Sequence, residues 1–163
     1  MKKLVIGLVT LLVLAGGYLA AAHLSGGAFY SFGLPVGGAR GELRRMSRSF
    51  LEDLQFKDFK RAASYHAPER RDAVDIPHII QRLFVQKPEA LDIQSYSIVF
   101  AEIDSTDNRG RVKTRVKVKD LLRGQIREQE LILYWERAGQ GAPWYMKLED
   151  SLRNLEAEKG KKS

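Results

Sequence analysis

The side chains best suited to acid–base chemistry lie in one stretch of the chain. An Asp–His or an Asp–Tyr arrangement can move protons when burial tunes the pKa values of its members. Tyr65, Asp75 and His78 are therefore the candidate catalytic residues, with His66 and Asp72 near them in the sequence. Each candidate also has a structural interpretation: Tyr65 in the core, Asp75 as a helix cap, and His78 as a hydrogen-bond partner of that cap. These structural interpretations are favoured, so the sequence leans against catalysis.

The chain lacks the patterns of several enzyme and metal-binding classes. It has no G-x-S-x-G elbow, no H-E-x-x-H pair and no phosphate-binding glycine loop. It contains no cysteine, which excludes a disulfide framework, a thiolate zinc site and a lipidated lipoprotein anchor. The three histidines, at 23, 66 and 78, do not have metal-site spacing. We therefore expect neither a metal ion nor another cofactor.

The stretch RVKTRVKVK, at 111–119, is the clearest candidate for a binding surface. Because side chains alternate across a β-strand, its valines and threonine share one face and its basic residues share the other. The basic side chains, called the basic row below, are Arg111, Lys113, Arg115, Lys117 and Lys119.

Acidic residues of the next strand should neutralise part of this row. A hairpin that matches the apolar faces places Glu128 and Glu130 near Lys117 and Arg115. The favoured interpretation is thus a solvated, partly paired face, and the alternative is weak contact with anionic lipid or an acidic partner. The formal net charge of +7 fits such attraction. With no recognisable nucleic-acid-binding motif, we expect no nucleic acid partner.

Two tryptophans are candidates for lining a pocket. Trp135 and Trp144 fall on strands that are expected to be neighbours, with Tyr134 beside the first. Aromatic side chains in such positions more often pack in a core than stack on a ligand. Pocket lining is the alternative for both.

The first 24 residues have the composition of a membrane anchor or a signal segment. Lys2 and Lys3 precede an uncharged, mainly apolar run of 19 residues from Leu4 to Ala22. As a helix this run would be about 28 Å long, close to the thickness of a bilayer core and longer than a usual signal-peptide core. We expect an uncleaved single-pass anchor in the inner (cytoplasmic) membrane, with the N-terminus in the cytoplasm and the domain in the periplasm or outside. The alternative is secretion after cleavage near Ala22.

Residues 25–41 are expected to form a linker, since they include six glycines and one proline. Phe29, Tyr30 and Phe32 are unusual in a free linker. They would lie at the membrane interface or dock on the following domain. That domain is predicted to span 42–150, followed by a charged tail at 151–163.

The domain is predicted to contain helices first and strands afterwards. Apolar residues recur at helical spacing in 42–55, in a segment at 59–66 capped by Asp58, and in a helix capped by Asp75. Four strands of an antiparallel meander are predicted, at 93–104, 111–119, 125–136 and 144–148. This order predicts an α+β fold with N-terminal helices packed on a curved four-stranded sheet.

The segment FLEDLQFKDFKRAASYH at 50–66, the meander and the closing WYMKL resemble the nuclear-transport-factor-2-like superfamily, also called the cystatin-like α+β cone. The shared features are the apolar first helix, the acidic turn residue Asp58, the small residues Ala62 and Ala63, and Trp144 ahead of a basic and an apolar residue. The match covers about residues 42–150 and is nearest to small exported bacterial members with no assigned function. It implies a cone-shaped pocket that binds a small molecule, supports isomerase or dehydratase chemistry, or is filled.

Fold does not select among these functions, because other superfamily members are dimerisation or scaffold domains. The leader, the spacer and the weak catalytic set predict a membrane-tethered, extracytoplasmic, non-enzymatic interaction or scaffold domain of the cell envelope. Its partners would be the membrane, through residues 4–22, and an envelope protein or a second copy of the chain. The alternative is a small-ligand-binding or isomerase-like protein that uses the cone pocket.

Overall fold

A computed structural model describes residues 2–24 and 38–153 of the chain. Helix α1, Lys2–Leu24, contains the predicted membrane segment. Among the residues that the structure describes, no helix is long and apolar enough to cross a membrane. The anchor and its cleaved alternative therefore stay predictions. Three aromatic residues of the predicted linker lie outside the described residues: Phe29, Tyr30 and Phe32.

Three further helices precede the sheet, as the sequence predicts. They are α2, Gly38–Gln55, α3, Phe59–Ala63, and α4, Ile76–Phe84, with 3-10 turns at Arg71–Ala73 and Pro88–Ala90. The predicted caps are confirmed, because Asp58 accepts a hydrogen bond from the backbone N–H of Arg61 and Asp75 accepts one from that of His78, each over 3.0 Å. Local side-chain chemistry thus sets where α3 and α4 begin.

Two helix boundaries differ from the prediction. Helix α2 starts at Gly38, so its first turn is made from the end of the glycine-rich segment rather than from residue 42. Helix α3 ends at Ala63 rather than at 66, because the N–H groups of Ser64 and His66 bond to carbonyls three residues back and tighten the chain into turns.

Four antiparallel strands follow in the order β1-β2-β3-β4. They are β1, Leu91–Ile103, β2, Arg109–Asp120, β3, Ile126–Glu136, and β4, Tyr145–Met146. The α+β prediction is therefore confirmed at this level. The last strand is shorter than predicted, and residues 148–153 are helical instead of ending a strand at 148. The rest of the predicted tail, from 154 onward, lies outside the described residues.

The helices cover one face of the sheet and bury its alternate side chains. Leu43, Phe50 and Leu54 of α2 are buried against the core face of β1 and β2, where Val112 and Val116 are also buried. The helix lies so close to the sheet that a Cβ on Gly110 would come within 2.3 Å of Leu43 Cδ1. This packing leaves the basic row on the opposite, uncovered face.

Candidate functional site

The basic row lies on the outer face of β2, and most of it is ion-paired. Arg115 faces Glu130 in the β2–β3 register and Lys117 faces Glu128, as the sequence predicts. The closest charged contacts are, however, diagonal. Arg115 Nε lies 3.1 Å from Glu128 Oε1, and Lys113 Nζ lies 2.6 Å from Glu130 Oε2. Long side chains reach beyond the residue directly opposite, so register alone does not determine the partner.

A third acidic partner lies on the other side of the row. Arg111 Nη2 lies 2.6 Å from Glu102 Oε2, across the β1–β2 pairing that places the two residues opposite each other. Sequence reasoning missed Glu102, because β1 has two register shifts, and simple alternation would put Glu102 on the same face as Tyr96 and Ile98, which pack against the core. Hydrogen bonds from Lys113 and then Arg115 hold the pKa of Glu130 below its usual range. The paired part of the row therefore presents little excess positive charge.

The described residues contain no ion pair to Lys117 or Lys119. These two lysines end the row beside the β2–β3 turn. The exposed pairs elsewhere in the row are each expected to contribute at most about 1 kcal/mol. Any attraction of this sheet for an anionic surface is thus concentrated at its β2–β3 end.

The candidate catalytic residues do not form one site. Asp75 and His78 are exposed at the start of α4, where the Asp75 carboxylate caps the helix through the His78 backbone rather than its imidazole. Tyr65 is half-buried, with its ring edge-on to Phe50 and Trp135 at centroid distances of 5.9 and 6.1 Å. Asp75 therefore acts as a helix cap and Tyr65 packs against the core, as the structural interpretations of these residues predict.

The two candidate pocket tryptophans are both buried in the core. Trp135 is 1% exposed, and its indole N–H donates to Ser47 Oγ over 3.0 Å. Trp144 lies under the guanidinium group of Arg137, whose Cζ is 4.5 Å from the ring centroid. Trp135 nevertheless contributes to the wall of the larger surface cleft described below, whereas Trp144 borders neither of the two described clefts.

A buried Asp–Tyr arrangement does exist, but it uses Asp53, which sequence reasoning did not select. Asp53 is buried on α2, and its Oδ1 lies 3.4 Å from Arg61 Nε. Burial raises the pKa of Asp53 against the opposing effects of Arg61 and of the Tyr65 hydroxyl. Burial and the nearby Asp53 carboxylate also raise the pKa of Tyr65. One feature of the sequence indicates that Asp53 is buried: it follows Phe50 by three residues and so lies on the apolar face of α2.

Neither described surface cleft contains this arrangement. A cleft of about 450 Å³ beside α3 includes Asp72 in its wall, but not Tyr65, Asp75 or His78. A cleft of about 900 Å³ lies beside the β1–β2 turn, β3 and the segment after β4. Its eight charged wall residues are Glu102, Asp104, Arg109, Arg111, Glu136, Lys147, Asp150 and Arg153.

The charges of the larger cleft are balanced. It has four cations and four acids, and three of the cations are in ion pairs within the wall. The pairs are Arg111–Glu102, Lys147–Glu136 and Arg153–Asp150. This balance gives the cleft no electrostatic preference for an anionic or a cationic ligand.

His66 is a buried titratable group outside these clefts. It is 1% exposed, its Nδ1 lies 3.3 Å from the carbonyl oxygen of Ala63, and its Nε2 has no hydrogen-bond partner among the described residues. Burial lowers the pKa of His66, against the opposing effects of the Ala63 carbonyl and of Glu149, while Arg70 lowers it further. The imidazole is therefore held neutral in the folded domain.

We expect this histidine to make the folded state less stable as the pH falls. Unfolded His66 takes up a proton near pH 6.5, whereas folded His66 does so only at lower pH. The contribution of neutral His66 to the free energy of unfolding is thus fully present above about pH 6.5 and is lost as the pH falls below that value. Thermal unfolding of the full chain in mild detergent from pH 7.5 to 5.5 should show this slope, and His66→Phe should reduce it. His78→Phe, at an exposed histidine, is the control. An unchanged slope in His66→Phe would contradict the assignment.

Comparison with known proteins gives no relative of this chain. No protein-family model, no curated protein and no solved structure matches it. The resemblance to the cone superfamily therefore stays a prediction.

Proposed function

We propose that this chain is a membrane-tethered, extracytoplasmic interaction domain of the bacterial cell envelope that acts by binding rather than by catalysis. The observation that carries the proposal is the uncharged run from Leu4 to Ala22 behind Lys2 and Lys3. Its length suits a bilayer core, and the two lysines favour a cytoplasmic N-terminus. The folded domain would then be held outside the cytoplasm.

The arrangement of the titratable residues supports a non-enzymatic role. Asp75 and His78 are exposed at a helix start, and Tyr65 is packed between Phe50 and Trp135. General acid–base catalysis needs its groups within reach of one bound substrate. The alternative, a ligand or isomerase site inside the cone, has less support because Tyr65, Asp75 and His78 border neither of the two described clefts.

The tether is tested by fractionating cells that express the full chain. We expect the protein in the membrane fraction at its full mass, resistant to alkaline carbonate extraction, and digested by protease added outside spheroplasts. Val9→Arg with Leu12→Arg should release it from the membrane, because each central arginine costs about 2.5–3.5 kcal/mol of insertion free energy. Val9→Ile with Leu12→Val keeps the run apolar and is the matched control.

Other outcomes of this experiment would reject the tether. A mass lacking about the first 22 residues would support the secreted alternative. A full-length protein in the soluble fraction would remove the membrane part of the proposal.

The interaction part is tested separately, by crosslinking in intact cells before detergent extraction. A reproducible, near-stoichiometric envelope partner would support it, and a partnerless monomer would count against it.

A further inference from the structure

The turn between β2 and β3 holds two leucine side chains out into solvent. Leu122 is 83% exposed and Leu121 is 50% exposed. Asp120 forms this turn, because its Oδ1 accepts hydrogen bonds from the N–H groups of Leu122 and Arg123 over 2.9 and 3.0 Å. Gly124 completes it with a φ of 69°, a conformation that glycine adopts without strain. The leucines are thus exposed by an ordered turn.

All four consecutive backbone N–H groups of this turn have partners within the protein. The N–H of Leu121 donates to the carbonyl of Ala90, and that of Gly124 donates to the carbonyl of Asp120, over 2.9 and 2.8 Å. The two between them donate to the Asp120 carboxylate. Backbone N–H groups that are satisfied internally lower the cost of moving a segment into a water-poor environment. The β2–β3 turn meets that condition.

Two more exposed aliphatic side chains lie at the same end of the domain. Val85, 71% exposed, ends α4, and the next residue, Gln86, lies beside the turn residue Asp120. Ile126, 54% exposed, starts β3 opposite Lys119. The four apolar side chains form what we call the apolar tip: Val85, Leu121, Leu122 and Ile126. The tip lies at the β2–β3 end of the sheet, and each of its side chains is at least half exposed.

Cations surround the apolar tip. Lys119 ends β2, Arg123 is in the turn, and Lys87 precedes the 3-10 turn whose last carbonyl accepts the Leu121 N–H. None of the three forms an ion pair within the described residues, although Arg123 attracts Asp120 at longer range. The nearby acids are Asp120, which is bound to the turn amides, with Glu89 and Asp92 on the β1 side.

We propose that the apolar tip docks on the surface of an anionic phospholipid bilayer. The aliphatic side chains would enter the headgroup–acyl boundary, and the three cations would contact lipid phosphates. Exposed aliphatic side chains on a turn with internally satisfied N–H groups, next to cations that form no ion pair within the described residues, suit an anionic lipid surface. The site is distinct from the ion-paired part of the basic row. It does not require the N-terminal anchor, although such an anchor would keep the tip near a membrane.

The absence of cysteine from the chain allows a direct test. The full chain carrying Leu122→Cys is labelled with an environment-sensitive fluorophore and reconstituted into vesicles of phosphatidylcholine, with or without about a third phosphatidylglycerol. On anionic vesicles we expect emission at shorter wavelength and quenching by brominated acyl chains. The same label at Val99→Cys, an exposed site in a bulge of β1, should stay in water.

Variants then separate the apolar and charged contributions. Leu121→Ser in the labelled protein should lower the ratio of inserted to free label by about tenfold, because one buried leucine is lost. Lys119→Gln with Arg123→Gln should remove the dependence on anionic lipid. Arg111→Gln with Arg115→Gln makes the same change in net charge within the paired row and should have little effect. If the two double variants reduced insertion of the label into anionic vesicles equally, the assignment of lipid binding to the apolar tip would be overturned.

The same experiment distinguishes failure of the tip from failure of the tether. Co-flotation with neutral vesicles reports the N-terminal anchor, whereas the label reports only the tip. Flotation with the label in water on every vesicle would overturn the tip proposal and leave the tether intact. Binding only to anionic vesicles, with the label inserted, would support the tip and reject the tether. A label that leaves water only when an envelope protein is added would assign the tip to a protein partner and overturn the lipid proposal.

Discussion

Replacing Trp135 with alanine is expected to lower the free energy of unfolding of the domain by about 3–5 kcal/mol. The indole is almost completely buried between the sheet and α2, and it packs edge-on against Tyr65. Truncation would leave a cavity and would also leave the buried hydroxyl of Ser47 without its indole donor. Since small domains are stable by only about 5–15 kcal/mol, this single change would remove a large part of the stability.

Chemical unfolding of the full chain in mild detergent, followed by circular dichroism, measures this loss. Trp135→Phe is the matched variant, because it keeps an aromatic ring but removes the hydrogen bond to Ser47, and it should cost about 1–2 kcal/mol. Ser47→Ala combined with Trp135→Phe should cost less than the sum of the single changes, since both remove the same bond. A loss below about 1 kcal/mol for Trp135→Ala would show that the indole is not a central part of the core.

Arg137→Ala is expected to cost about 2–3 kcal/mol, far more than the loss of any exposed ion pair of the basic row. The Arg137 side chain is only 6% exposed. Its Nε and Nη2 donate to the backbone carbonyl and to the carboxylate of Asp107, each over 2.7 Å, and its guanidinium lies over Trp144. One side chain thus joins the β1–β2 turn to the segment after β3. Its removal breaks two hydrogen bonds and a cation–π contact together.

The same unfolding measurement, with two comparison variants, tests the role of Arg137. Arg137→Lys keeps the charge but has no planar fork with which to bond Asp107 at two points, so it should recover less than half of the loss. Arg115→Ala removes an exposed arginine of the basic row and should cost at most about 1 kcal/mol. If Arg137→Ala and Arg115→Ala lowered the free energy of unfolding equally, the stabilising role assigned to Arg137 would be contradicted.

Trp135 and Arg137 lie at the opposite end of the sheet from the β2–β3 turn of the apolar tip. Arg137 joins the β1–β2 turn to the chain after β3, whereas Leu121 and Leu122 occupy the β2–β3 turn. Substitutions of the exposed leucines in the apolar tip therefore leave the contacts of Trp135 and Arg137 in place. Membrane binding and folding stability should respond to different substitutions, which makes the two sets of experiments independent.

Much of the architecture could be predicted from local sequence patterns. The alternation at 111–119 placed the basic row on one face, because the side-chain period of a strand is fixed by its backbone. Asp58 and Asp75 marked the starts of two helices, because a cap depends only on the next three residues. The register of Arg115 with Glu130 followed from matching the apolar faces of two neighbouring strands.

The tertiary structure decided what these elements bring together. Arg137 and Asp107 are 30 residues apart, and Trp135 and Ser47 are 88 apart, so no local pattern indicates either contact. Gln86, the residue after Val85, lies beside Asp120 of the β2–β3 turn and bonds to Arg127 of β3, contacts that bridge more than 30 residues of sequence. The sequence by itself determined the order of the elements and the faces of the side chains in the regular strand β2, since these depend on backbone periodicity and near neighbours. Packing over long separations decided which carboxylate is buried, which ion pairs form and which apolar side chains gather at one exposed end.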